Sequence, residues 1–202
     1  AVDEHQDLLR ISVATAGNDH RLGANEAPPA IVSMFLGDEL TAILDAIDEG
    51  VPYYGAEKVQ MEIGVHVLPT FPKDTTDRNR TSPFAFTGNK FEFRMPGSAM
   101  SVAEPNVVIN TAVADCLMQF ADELEKAEDF RSALSELIRR TIKKHKRIIF
   151  NGDGYSNEWK LEAKRRGLLN LPTTADALPY MVSEKNINLF TRHRVYTEKE
   201  LR

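Results

Sequence analysis

The sequence predicts an α+β protein whose first hundred residues mix helix and strand and whose remainder is mainly helical. Three observations carry that prediction. Met61 to Val67 and Phe91 to Met95 alternate apolar and polar residues with the period of a half-buried strand. From Asn106 onward the apolar residues recur three and four apart, the spacing of an amphipathic helix. Of the 202 residues, 42% are hydrophobic and 27% charged, enough apolar material for a packed core.

Taken in order, Val2 to Ala16 reads as a helix with Val2, Leu9, Val13 and Ala16 near one face. Gly17 to Pro29 reads as a loop, broken by glycine and proline. Asp38 is placed to cap a helix from Glu39 to Glu49, with Leu40, Ile43, Leu44 and Ile47 as its apolar stripe. The strand from Met61 leads into an extended polar loop, Pro69 to Pro83. The second strand carries Phe91, Phe93 and Met95 on one face and Glu92 and Arg94 on the other, and ends at Pro96-Gly97. Val113, Leu117, Phe120 and Leu124 mark the apolar face of a long helix, and Phe130, Leu134, Leu137, Ile138 and Ile142 that of a second. A shorter helix starts near Asn157 and stops at Gly167, and another follows Thr173-Thr174. Thr197 and Glu200 form a capping box, the Thr197 hydroxyl accepting from the Glu200 amide and the Glu200 carboxylate from the Thr197 amide. That helix has barely one turn before Arg202, and the chain opens without an initiator Met. Both ends suggest a piece excised from a longer protein.

Composition excludes several classes. A net charge of -5, from 25 basic and 30 acidic residues, is the wrong balance for a general nucleic-acid binder. No apolar run approaches the roughly 20 residues that span a bilayer, and no signal peptide opens the chain. A single cysteine forms neither a disulfide framework nor a cysteine zinc site. The expectation is a cytoplasmic protein with no membrane and no nucleic-acid partner.

Three segments can carry chemistry. His20 to Pro28 puts Arg21 and Glu26 on a glycine-punctuated loop, suited to capture of a carboxylate or phosphate by a guanidinium. Asp77 to Ser82 (DRNRTS) holds two arginines that could neutralise a phosphoryl group in transfer. Glu92 and Arg94, two apart on a strand, project from one face roughly 6.6 Å apart and could hold a metal ion and a substrate oxygen side by side. On composition and spacing alone, each reads as well as a charged surface loop, a solvated turn or a strand ion pair.

In this order, HRLGANEAP, RNRTSP and EFRMPG resemble glutamine synthetase, whose substrate loop has the form KRLxPGxEAP and is followed by RNRSAS and by EFRFPD. The details GNDHRLG at 17–23 and TGNKFEFR at 87–94, with LEKAEDF and NGDGYSNEW in a long helical stretch, resemble the type III class. The resemblance implies that residues 1–110 are part of the catalytic domain with its antiparallel sheet, and that 111–202 are a helical insertion of the same catalytic region. It implies a ligase of nitrogen metabolism: ATP phosphorylates the side-chain carboxylate of glutamate, and ammonia displaces the phosphate to give glutamine. It further implies ATP and Mg²⁺ or Mn²⁺ as cofactors, and a ring-shaped homo-oligomer. Carried over residue by residue, Arg21 and Arg94 bind glutamate and its phosphorylated form. Glu26 closes the site and helps deprotonate ammonium, Arg80 contacts ATP and the transferring phosphate, and Glu92 ligates metal. The sequence departs from the family pattern at His20, where lysine is usual, at Ala85, where a further arginine is usual, and at Gly97, where aspartate is usual. Glu26 follows Arg21 by five residues rather than six. The other metal-ligating glutamates of the family lie upstream of anything present, so the isolated chain is expected to make no glutamine.

Other features weigh toward structure. Arg139 to Arg147 has six basic residues in nine and reads as a solvated face or a subunit contact. His66 reads as a lone hydrogen-bonding residue, Cys116 as a small core side chain, Trp159 as a packing anchor, and Asn151 to Gly154 as a turn. Two alternative functions stand beside the ligase: a helical subunit-assembly module in 111–202, and a related phosphotransferase of the guanidino kinase or glutamate–cysteine ligase type.

Overall fold

Thr15 breaks what the apolar pattern reads as one helix. In the computed structural model, which describes residues 1–24, 26–55, 60–61, 71–72, 77 and 81–202, the first segment is two short helices, α1 (Gln6–Ile11) and α2 (Ala16–Arg21). The Thr15 hydroxyl accepts from the Asn18 amide and so caps α2, which takes up the first part of the expected loop and carries Arg21 in its last turn. Helix α3 (Asp38–Glu49) forms as expected, except that Gly37 and not Asp38 is the cap residue. Gly37 sits at φ 82°, and its amide is held by the Asn151 carboxamide oxygen rather than by a cap side chain. Gly50, in the left-handed region, closes its other end.

The sheet is small and mixed. Strand β1 (Met34–Phe35) runs parallel to β4 (Phe84–Phe86), which runs antiparallel to β5 (Phe91–Phe93), with Phe84 opposite Phe93 and Ala85 opposite Glu92. A separate antiparallel pair joins β2 (Gln60–Met61) to β3 (Phe71–Pro72). Residues 62–67 of the first expected strand, with His66, lie outside the described residues. The Phe84 ring lies 5.9 Å from that of Phe91 and 5.6 Å from that of Phe93, tilted 40° to each, yet Phe91 is half exposed, so this face is not the closed core that the alternation predicts.

Helices α4 (Ala103–Leu124), α5 (Phe130–His145), α6 (Asn157–Arg165), α7 (Thr174–Ala177), α8 (Glu184–Arg192) and α9 (Glu198–Leu201) make up the rest. Periodicity finds α4 but names the wrong face. Val113 and Leu117 are exposed, and the buried positions are Pro105, Val108, Thr111, Ala112, Asp115 and Cys116. The polar members of that face are satisfied: Asp115 accepts from Gln119 and pairs with His193 at 2.8 Å and Arg192 at 3.1 Å. A hydropathy pattern cannot see such partners. On α5 only Leu137 of the expected stripe is buried, while Phe130 and Ile138 are exposed. The basic run at its end is not a bare solvated face. Arg140 pairs with Glu123, Lys144 with Glu4, His145 and Arg147 with Asp3, and Lys146 with Asp48.

The main core joins the two ends of the chain. Leu8, Leu9 and Val13 pack with Leu189, Phe190 and Leu201. The capping box at Thr197 forms as expected, and burial of Leu201 holds its single turn in place. Arg10, fully buried, donates to the carbonyls of Leu171 and Pro172 and pairs with Asp19. A second cluster centres on Trp159, stacked on Phe150 at 3.8 Å with Arg166 over both rings.

Candidate active site

Arg21 ends α2 because Thr15 starts it; its side chain is then fixed from two sides. Its Nε donates to the Asn18 carboxamide oxygen at 2.9 Å and its Nη2 to the Met95 carbonyl. Asn18 is itself buried and donates to the carbonyls of Val13 and Met95, so α2 is tied to the chain just past β5. After α2 the chain turns at Gly23, φ 80°, whose amide donates to the Ala27 and Pro28 carbonyls. This closes a small loop with Glu26 exposed near its tip.

Glu92 and Arg94 project from β5 as the alternation predicts. Arg94 Nε donates to Glu92 Oε2 at 3.1 Å. This bond holds the Glu92 carboxyl below its usual range, with the charges of Arg94 and Lys90 adding to it. Glu92 is therefore a carboxylate at neutral pH. From the other side, Arg94 Nη1 donates to Asp77, at 3.0 Å to its carboxylate and 3.1 Å to its carbonyl.

Asp77 is the organiser that motif reading passed over. It is buried, and its carboxylate accepts from the amides of Thr81 and Ser82, both at 2.9 Å, and from the Thr81 hydroxyl at 3.0 Å. One side chain thus holds Thr81 and Ser82 and presents Arg94. The signal in the sequence is an Asp four and five residues before Thr-Ser, a spacing suited to local side-chain-to-backbone bonding. Arg80 of the same segment lies outside the described residues.

Arg21, Glu26, Glu92 and Arg94 all line one cleft of about 570 Å³. Ser82, Ser98 and Tyr155 line it with them. Two guanidiniums and two carboxylates around one space can hold a zwitterionic or multiply charged anionic substrate and leave one carboxylate to take a proton. Among the described residues no three His, Cys, Asp or Glu side chains gather to hold a metal ion. Mg²⁺ prefers near-octahedral oxygen ligation, so these residues do not by themselves make its site. Tyr155 was missed because it belongs to a different region of sequence from the three motifs.

Residues 133–202 match the glutamine synthetase C-terminal domain family. Over its whole length the chain is 50% identical, across 204 aligned residues, to the type-3 glutamine synthetase of Dictyostelium discoideum, and covers 28% of that protein. It is 47% identical to the glutamine synthetase of Butyrivibrio fibrisolvens, with all of the chain and 29% of the relative covered. It is 45% identical to that of Bacteroides fragilis (strain YCH46), with 99% of the chain and 28% of the relative covered. The chain belongs to the glutamine synthetase family. Within it, the type 3 relative shares half of the aligned residues, and the chain spans less than a third of the length of these relatives. No helix among the described residues is long and apolar enough to cross a membrane.

Proposed function

We propose that the intact protein containing this segment is an ATP-dependent ligase that makes glutamine from glutamate and ammonia, and that the cleft described above is part of its active site. The observation that carries the reading is the convergence of Arg21, Glu26, Glu92 and Arg94, from two separated motifs, on one space. In this reading a side-chain carboxylate oxygen of glutamate attacks the γ-phosphorus of ATP, and the bond to ADP breaks. Ammonia then attacks the acyl carbon, and inorganic phosphate leaves. Arg21 and Arg94 orient the glutamate carboxylates. Each is already clamped by protein oxygens, so little ordering entropy is lost when substrate binds. Glu26 takes the proton that ammonium must lose. Arg80 screens the phosphoryl group in transfer. Glu92 is one ligand of a divalent cation, Mg²⁺ or Mn²⁺, whose remaining ligands come from elsewhere in the intact protein.

The test is Arg94→Ala in the intact protein. A loss of glutamine formation of a hundredfold or more, with assembly unchanged, is expected. Unchanged activity per folded protein overturns the assignment. Self-association into a homo-oligomer is part of the same reading. It is supported by the exposed apolar residues Val113, Leu117 and Met118 along α4.

A further inference from the structure

The turn Asn151 to Tyr155 lies in the helical part of the chain, outside every motif that suggests catalysis, and yet it touches both loops of the cleft. Tyr155 lines the cleft, and its hydroxyl donates to the Glu26 carbonyl at 3.4 Å. On the other side, the Gly152 carbonyl lies 3.3 Å from the Thr81 hydroxyl, whose proton goes to Asp77. Gly154 is buried against the same segment so closely that a Cβ there would fall 1.9 Å from the Thr81 carbonyl oxygen and 3.6 Å from the Pro28 ring. Only glycine allows that approach.

The turn is anchored firmly at both ends. The Asn151 carboxamide oxygen accepts from the Leu36 and Gly37 amides, both at 3.1 Å, and its nitrogen donates to the Thr41 hydroxyl at 2.8 Å. The Phe150 amide donates to the Met34 carbonyl at 2.9 Å, a parallel bridge beside β1. Beyond Tyr155, the Ser156 hydroxyl caps α6, and Trp159 is buried against Phe150 in its first turn. The loop that carries Glu26 is anchored at its base, where Leu22 and Ala27 are buried, and less so at its tip. It is closed at its base by the Gly23 amide, and Gly23, Ala24 and Glu26 are exposed.

We infer that Tyr155 is a positioning residue, a tie from this fixed turn that keeps the Glu26 loop over the cleft and excludes water while the acyl phosphate exists. The inference rests on the ligase reading above. An acyl phosphate open to water is hydrolysed: a water oxygen bonds to the acyl carbon, the bond to phosphate breaks, and glutamate and inorganic phosphate are released. The net result is ATP and water converted to ADP and phosphate with no glutamine made. A loosened tie therefore shows as uncoupling rather than as a simple loss of rate.

The experiment is Tyr155→Phe in the intact protein, which removes one hydroxyl and keeps the ring. Two quantities are measured: moles of ADP formed per mole of glutamine, and amide hydrogen exchange in residues 22–27. The expected result is a ratio that rises from one to two or more, dependent on glutamate, with exchange in 22–27 at least threefold faster. A ratio held at one overturns the inference whether or not exchange changes, because faster exchange alone would make the tie merely structural. A raised ratio with unchanged exchange also overturns it, because the uncoupling would then have another origin. If the unsubstituted protein forms no glutamine, the ligase reading itself fails, and that is seen before any substitution is made.

Discussion

Asp77→Ala removes four acceptor contacts at once, and its cost can be worked from their geometry. The carboxylate accepts from the Thr81 and Ser82 amides at 2.9 Å, from the Thr81 hydroxyl at 3.0 Å and from Arg94 Nη1 at 3.0 Å. Ser82 is buried, so its amide would be left without a partner at a cost of about 1–3 kcal/mol. Removing one partner of a buried ion pair costs roughly 3–5 kcal/mol. Arg94, 16% exposed as a side chain, keeps Glu92 and the Asp77 carbonyl, which brings the ion-pair share below that range, to about 1–2 kcal/mol, and the total to about 3 kcal/mol. For a chain of this size, 1 kcal/mol moves Tm by about 2–4 °C, so a fall of roughly 6–12 °C is expected in a thermal melt of the 202-residue chain. A double-mutant cycle with Arg94→Ala should show coupling of about 1 kcal/mol or more, since the two side chains touch. A fall below 2 °C, or strict additivity of the two substitutions, would refute the role given to Asp77.

Two further outcomes follow from the same contacts. Trp159→Ala empties the centre of the second core cluster and removes the stack on Phe150 and the Arg166 contact, so a loss of about 3–5 kcal/mol is expected by denaturant titration; a loss under 1 kcal/mol would show that the cluster does not hold α6. The Arg94 hydrogen bond lowers the Glu92 pKa, so the carboxyl should stay ionised as pH falls below 4.5. The unfolded chain takes up this proton first, so the stabilisation is fully present above 4.5 and is lost as pH falls through the lower folded value. A carbon-detected NMR titration should give a Glu92 midpoint below that of an ordinary Glu, returning toward it in Arg94→Ala; equal midpoints would contradict the pairing.

The parts of this fold that the sequence reveals are those governed by local physics. The capping box at Thr197, the short helix after Thr173 and the left-handed stop at Gly167 need only neighbours within a few residues, and all three form. Glu92 and Arg94 share a face because a strand alternates, and they do pair. What escaped detection depends on partners far along the chain. The parallel pairing of β1 with β4 involves two residues on each side, too few to leave a periodic trace. Asp115 looks like a surface residue until His193 and Arg192 are placed beside it. The short helix α8 buries Ile187, Leu189 and Phe190 and places all three in the main core. Of the site, Arg21, Glu26, Glu92 and Arg94 are legible through motif order, whereas Asp77 and Tyr155 emerge only from contacts.

The buried guanidinium of Arg10 has a bearing on how this chain can be divided. Its acceptors on Leu171 and Pro172 are about 160 positions away, and the Ile31–Asn170 bridge and the Leu9–Phe190 core cross the same divide. A gene split near codon 110 would take both carbonyl acceptors from Arg10 and leave Asp19 as its partner, and neither product would hold its shape alone. Expressed side by side, the two halves should find each other, because each is the missing wall of the other's interior.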